Sequence, residues 1–134
     1  MNYSFILILF FSVFSTSSFA LNATVEQLLE NYRQQGAGSF DGKAGEVLWQ
    51  QSFKDTKTGK LRNCSNCHTR DLRSSGKHVR TGKPIKPLAI SVNAERLNDI
   101  KKVKKWLRRN CKWTLGRECT AQEKGNILIY LQLQ

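Results

Sequence analysis

Two cysteines and a histidine in the order Cys64-Ser65-Asn66-Cys67-His68 carry most of the chemistry this sequence offers. The C-x-x-C-H pattern is that of covalent haem attachment. Two thiols at this spacing form thioether bonds to the vinyl groups on one edge of the macrocycle. The adjacent imidazole is then held beneath the ring, where a nitrogen reaches iron. A redox dithiol of the thioredoxin type would need alternating strands and helices around the motif, and the sequence has no such alternation. A zinc ribbon would recruit Cys111 and Cys119, but seven residues separate that pair where two are needed. The expected cofactor is one haem c per chain, bound through Cys64 and Cys67, with His68 as the proximal iron ligand.

The opposite axial position can be argued from the methionine count and from one spare histidine. Met1 is the only methionine and lies in a leader-like segment, so a mature chain has no methionine for a His/Met pair. His78 is the one spare histidine. It follows Ser74-Ser75-Gly76-Lys77 in a polar, basic stretch and reads first as a surface histidine, second as an alternative distal ligand. Without a strong sixth ligand the iron would accept diatomic gases.

Phe5 to Phe14 is a short apolar run, followed by Ser18-Phe19-Ala20 with the small-x-small pattern of a signal-peptidase site. The run is shorter than the roughly 20 apolar residues needed to cross a bilayer. Residues 1–20 are therefore expected to be a signal peptide and 21–134 the haem domain, located in the periplasm with no integral membrane segment after processing. Retention of the leader as an anchor is the alternative. In an oxidising compartment four cysteines need partners. With two assigned to haem, Cys111 and Cys119 are natural disulfide partners; a redox-active pair is the other reading. The net charge of +12 speeds encounter with an acidic partner.

The elements that must position these residues are mainly α-helical. Thr24 and Gln27 have capping-box spacing ahead of Val25, Leu28, Leu29 and Tyr32. A second helix is expected over Lys43 to Phe53, with Val47, Leu48 and Trp49 turned inward. Lys54 to Pro87 reads as loop that needs something to wrap around. Asp99 to Arg109 is the clearest amphipathic helix: Ile100, Val103, Trp106 and Leu107 form the stripe and lysines and arginines fill the rest. Thr120 and Glu123 repeat the capping-box spacing before a last helix containing Ile127, Leu128, Tyr130 and Leu131.

The segments Arg80-Thr81-Gly82-Lys83, Pro87-Leu88-Ala89, Trp106-Leu107-Arg108-Arg109-Asn110-Cys111, Gly116-Arg117-Glu118-Cys119-Thr120 and Glu123-Lys124, taken with the haem motif, resemble the sphaeroides haem protein family. The likeness covers the second half of the chain; the amino-terminal third matches mainly in helix placement. It implies a class I cytochrome c-like single domain, with the terminal helices crossing beside the haem and a Cys111–Cys119 disulfide. It implies Asn110 as the distal iron ligand, transient binding of oxygen or nitric oxide, and electron supply from another cytochrome, di-haem or membrane-bound, with an acidic surface. One extra residue between His68 and Arg80, and His78 within that stretch, depart from the family pattern and keep His78 as a second candidate.

The expected function is an exported mono-haem electron-transfer cytochrome with a displaceable sixth ligand and diatomic gases as ligands, Trp106 and Leu107 lining the distal side. A haem enzyme converting nitric oxide with bound oxygen is the alternative, and a plain bis-histidine carrier ranks below it. No nucleic-acid partner is expected, because the aromatic residues lie on the apolar stripe and do not interleave with the cations. Since the loops of 54–87 need the haem as their core, haem-free protein should melt without a cooperative transition. A sharp thermal transition of that form, followed by circular dichroism, would contradict this.

Overall fold

The computed structural model describes residues 21–134; the expected signal peptide, 1–20, lies outside the described residues. Five helices carry the fold: α1 (Ala23–Gln34), α2 (Gly42–Gln50), α3 (Ser65–His68), α4 (Ile100–Leu115) and α5 (Ala121–Gln132). Two small antiparallel ladders lie between them. β1 (Phe53–Lys54) pairs with β2 (Leu61–Arg62), and β3 (Gly76–Lys77) with β4 (Pro84–Ile85). The mainly α expectation holds. Two-residue strands leave no alternation for a sequence to display.

Helix α1 is capped two residues before its expected cap. Asn22, not Thr24, is the N-cap, and its side chain accepts the Thr24 N–H at 2.8 Å. Thr24 is inside the helix and turns its hydroxyl to the Asn98 carbonyl. Asp41 caps α2, which stops at Gln50 short of the expected Phe53 because Gln51 is extended. Its buried face is Gly45 and Trp49, so Val47, expected inward, stands 58% exposed. Thr120 caps α5 with the full reciprocal box: its hydroxyl takes the Glu123 N–H and the Glu123 carboxylate takes the Thr120 N–H. Arg117 grips the same carboxylate through two nitrogens, at 2.7 and 2.8 Å.

The terminal helices meet as expected. Val25, Leu28, Leu29 and Tyr32 of α1 bury against Leu128 of α5 and Val103 of α4. A second core unites Trp49, Leu72, Ala89, Ile127, Tyr130 and Leu131 with the two buried half-cystines. Helices α2 and α5 approach closely at Gly45, where a Cβ would overlap the Asn126 carbonyl. The opposite small contact is Gly125, over which the Phe40 ring lies. Gly45→Ala should therefore separate α2 from α5 and cost about 1–3 kcal/mol, the usual toll of overpacking. Chemical denaturation of the haem-loaded protein reads this; an unchanged midpoint would contradict the contact.

Candidate haem site

Cys64, Cys67 and His68 come together on one short element. Cys64 begins the single turn of α3 and His68 ends it, after which Thr69 leaves at a φ of +64°. The β3–β4 hairpin presses on this turn: Gly76 sits so close to the Cys67 carbonyl that any Cβ would collide with it. Both thiols are free and half-buried. The His68 ring lies 5.5 Å from Trp49, which in turn lies 6.0 Å from Tyr130. Helices α2 and α5 thus form the wall behind the imidazole.

Burial sets the electrostatics. It pushes the His68 imidazole down to about 4, helped by the positive charge of Arg96, so the ring is neutral and its lone pair free at neutral pH. It pushes the Cys64 thiol up to about 11, with the Thr114 hydroxyl working partly against it. Arg96 donates from Nε to the Pro87 carbonyl at 2.8 Å and from Nη2 to the Lys86 carbonyl. Asn93 Nδ2 takes the remaining acceptor site of Pro87 at 3.0 Å. The Lys86 and Pro87 carbonyls are therefore already engaged by side chains.

Three buried side-chain polar atoms among the described residues have no partner: Trp49 Nε1, Ser65 Oγ and His68 Nδ1. Two are on α3 and the third is on the ring beside it. Buried polar groups are almost always satisfied in a folded protein. Their concentration here marks the place where a further group is needed.

Helix α4 corrects the expected boundary. It runs from Ile100 to Leu115, capped by Asp99 and ended by Gly116 in the left-handed conformation, so it extends six residues beyond Arg109. Asn110 is accordingly within the helix, not at its carboxyl end. Four residues on, and so on the same face, Thr114 is buried and reaches Cys64. Four residues back is Trp106, 49% exposed. Trp106, Asn110 and Thr114 form a column whose far end touches the attachment cysteine and whose near two thirds are uncovered. Cys111, next to Asn110, is bonded to Cys119, as expected. The segment Lys112 to Glu118 is not a free loop, since its first four residues continue α4.

His78 stands on a different element from this column. It starts the turn of the β3–β4 hairpin, where its N–H donates to the Lys83 carbonyl and its own carbonyl accepts from Gly82. Its Nδ1 accepts the Thr81 N–H at 3.1 Å and meets the Thr81 hydroxyl at 2.9 Å. His78 is thus tied to Thr81 within its own hairpin turn. Sequence reasoning missed Thr114 and Arg96. Thr114 had a signal, the i+4 spacing to Asn110; Arg96 sits in an aperiodic stretch and had none.

Comparison with known proteins agrees with this geometry. Residues 35–131 match a family described as a domain of unknown function, DUF1924. Cytochrome c-type protein SHP of Cereibacter sphaeroides is 35% identical over 126 residues, 92% of this chain and 94% of that protein. The chain belongs to the sphaeroides haem protein family. Cytochrome c'' of Methylophilus methylotrophus is 40% identical over 87 residues, 65% of this chain and 60% of that protein. A solved structure of oxidised SHP, described as an oxygen-binding cytochrome c, superposes with a TM-score of 0.74, covering 84% of this chain and 99% of that one. The crystal structure of oxidised cytochrome c'' gives 0.68, covering 81% and 92%.

Within this cytochrome c-type fold the residues present fit a haem c. Two free thiols at attachment spacing and a neutral buried imidazole stand on one turn, two of the three orphaned polar atoms lie on that turn, and Thr114 of α4 reaches its first cysteine. The Cys111–Cys119 bond ties the last turn of α4 to the cap of α5 and so fixes the Asn110 turn. Replacing both half-cystines by alanine should cost about 2–5 kcal/mol. Denaturant unfolding of the haem-loaded variant checks this, and wild-type stability would show that the bond restrains nothing.

Proposed function

We propose that this chain is an exported mono-haem cytochrome c that accepts electrons from another cytochrome and binds diatomic gases through a displaceable sixth ligand. Cys64 and Cys67 attach the haem, His68 is the proximal ligand and Asn110 the distal one. The observation that carries this reading is the cluster of orphaned polar atoms around α3, where the Trp106–Asn110–Thr114 column reaches the attachment turn at Thr114. The haem supplies one-electron chemistry and an iron position for a gas. The protein's part is to hold a neutral imidazole on one side and a weak, neutral amide oxygen on the other. An amide is a poorer ligand than an imidazole and yields to an incoming gas.

The related SHP is described as oxygen-binding, and a solution structure of cytochrome c'' bears on haem-ligand detachment, which supports a labile distal ligand here. The engagement of His78 Nδ1 by Thr81 argues against the bis-histidine reading. Export rests on residues 1–20, and among the described residues no helix is long and apolar enough to cross a membrane.

Absorption spectra of the mature protein, ferric and dithionite-reduced, with and without carbon monoxide, test the assignment. The reduced protein should be high-spin and bind carbon monoxide promptly. Asn110→Ala should keep that behaviour and perturb the ferric spectrum, whereas Asn110→His should give a low-spin reduced form slow to react. A low-spin reduced wild type indifferent to carbon monoxide would overturn Asn110 and the gas-binding function together.

A further inference from the structure

Helix α4 is flanked by two basic clefts, and they differ in what lies behind them. One, between α1, α4 and α5, is lined by Tyr32, Gln35, Lys104, Arg108, Glu118 and Lys124. The other is a groove of about 530 Å³ between the β1–β2 hairpin and the carboxyl half of α4, lined by Lys57, Arg62, Arg109, Lys112 and Trp113. Arg62 is two residues before Cys64, and Trp113 adjoins Thr114, which touches the Cys64 sulfur. Through Arg62 the groove therefore adjoins the attachment segment, where the haem reading would place the thioether edge.

Its charges are arranged for an external partner. Asp55 is the one acid in the groove, and it is committed internally, paired to Arg62 at 2.7 Å and accepting from Thr58 and Lys57. Arg62 is further fixed by the Trp113 carbonyl at 2.9 Å and lies over the Trp113 ring at 4.7 Å. Lys112 pairs with Glu118. Lys57 and Arg109 have no carboxylate partner among the described residues, and Arg109 is held over the Trp106 ring at 5.1 Å. On the hairpin stands Leu61, the most exposed of the large apolar side chains at 66%. An exposed apolar side chain on the hairpin and two cations without carboxylate partners in the neighbouring groove suit a small, short-lived redox complex, in which charge sets the encounter rate and the contact area stays low.

We propose that the groove between the β1–β2 hairpin and α4 is the docking surface for an acidic one-electron donor protein. This rests on the haem reading above. Carboxylates of the donor engage Lys57 and Arg109, and Leu61 with Trp113 supplies the dry contact beside the thioether edge. In each encounter one electron leaves the donor, which is oxidised, and reduces ferric haem iron to ferrous; no atom is transferred.

Flavodoxin, an acidic electron-carrier protein, serves as the probe for the haem-loaded protein. Titrating oxidised flavodoxin into the ¹⁵N-labelled ferric protein should move amide signals of residues 55–62 and 109–116. With reduced flavodoxin at low salt, the Lys57→Glu/Arg109→Glu double variant should lose about tenfold in second-order reduction rate and most of its salt dependence. Lys104→Glu/Lys124→Glu makes the same change in net charge in the other cleft and should lose much less. Lys57→Gln/Arg109→Gln repeats the test with a smaller perturbation if the glutamates unfold the hairpin. Equal losses in both double variants, or shifts confined to the α1–α4–α5 cleft, would overturn the docking site. The absorption spectrum of each preparation separates the two readings: a chain without covalent haem overturns both, a haem-bearing chain with the wrong rates overturns docking alone.

Discussion

A buried imidazole nitrogen without a partner costs about 1–3 kcal/mol, and His68 Nδ1 stands in that position with Ser65 Oγ and Trp49 Nε1 beside it. A fold of this size does not collect such costs in one place without return. Everything around α3 makes sense if a large apolar group with polar edges belongs there. Trp49 and Tyr130 stand beside the imidazole, Gly76 closes on the Cys67 carbonyl before it, and Arg96 holds the Lys86 and Pro87 carbonyls. Desolvation keeps the ring neutral, which is the form a metal requires.

Helix α4 is the second half of that arrangement, since it carries three functions along one rod. Its inner face, through Val103, Leu107 and Cys111, packs into both cores. The Trp106–Asn110–Thr114 column reaches the attachment turn at Thr114. Its outer face is nearly all cation, with only Asp99 and Glu118 within pairing distance. The rod is fixed at its start by Asp99 and near its end by the bond to Cys119, then stopped by Gly116. Asn110 is therefore held by rigid backbone on either side, as the proposed displaceable ligand requires. Firm placement and weak ligation together suit a site that must open for a gas.

Much of this was legible before any coordinates. The haem motif, the Cys111–Cys119 pairing and the four long helices follow from spacing and from amphipathic stripes, which are local properties. Helix ends were less legible. The stripe of α4 continues through Cys111 and Thr114, residues that do not register as apolar, so the helix reads as ending at Arg109 when Gly116 is the true stop. In α2 the inward face is defined by Gly45, whose role depends on α5 passing over it, and so Val47 was misplaced. The ladders of β1–β4 are too short to pattern a sequence. Arg96 could not be foreseen at all, because its partners are two backbone carbonyls ten and nine residues earlier in an irregular loop.

The central claim is that Cys64, Cys67 and His68 exist to hold a haem. Denaturing mass spectrometry of the purified mature protein, with peptide mapping of the segment containing residues 64–68, tests it most directly. The account predicts a chain heavier by one haem, the added mass retained on that peptide and absent from a Cys64→Ala/Cys67→Ala variant. A bare chain with Cys64 and Cys67 as free thiols or as a disulfide, when expressed with an intact haem-attachment pathway, would contradict it.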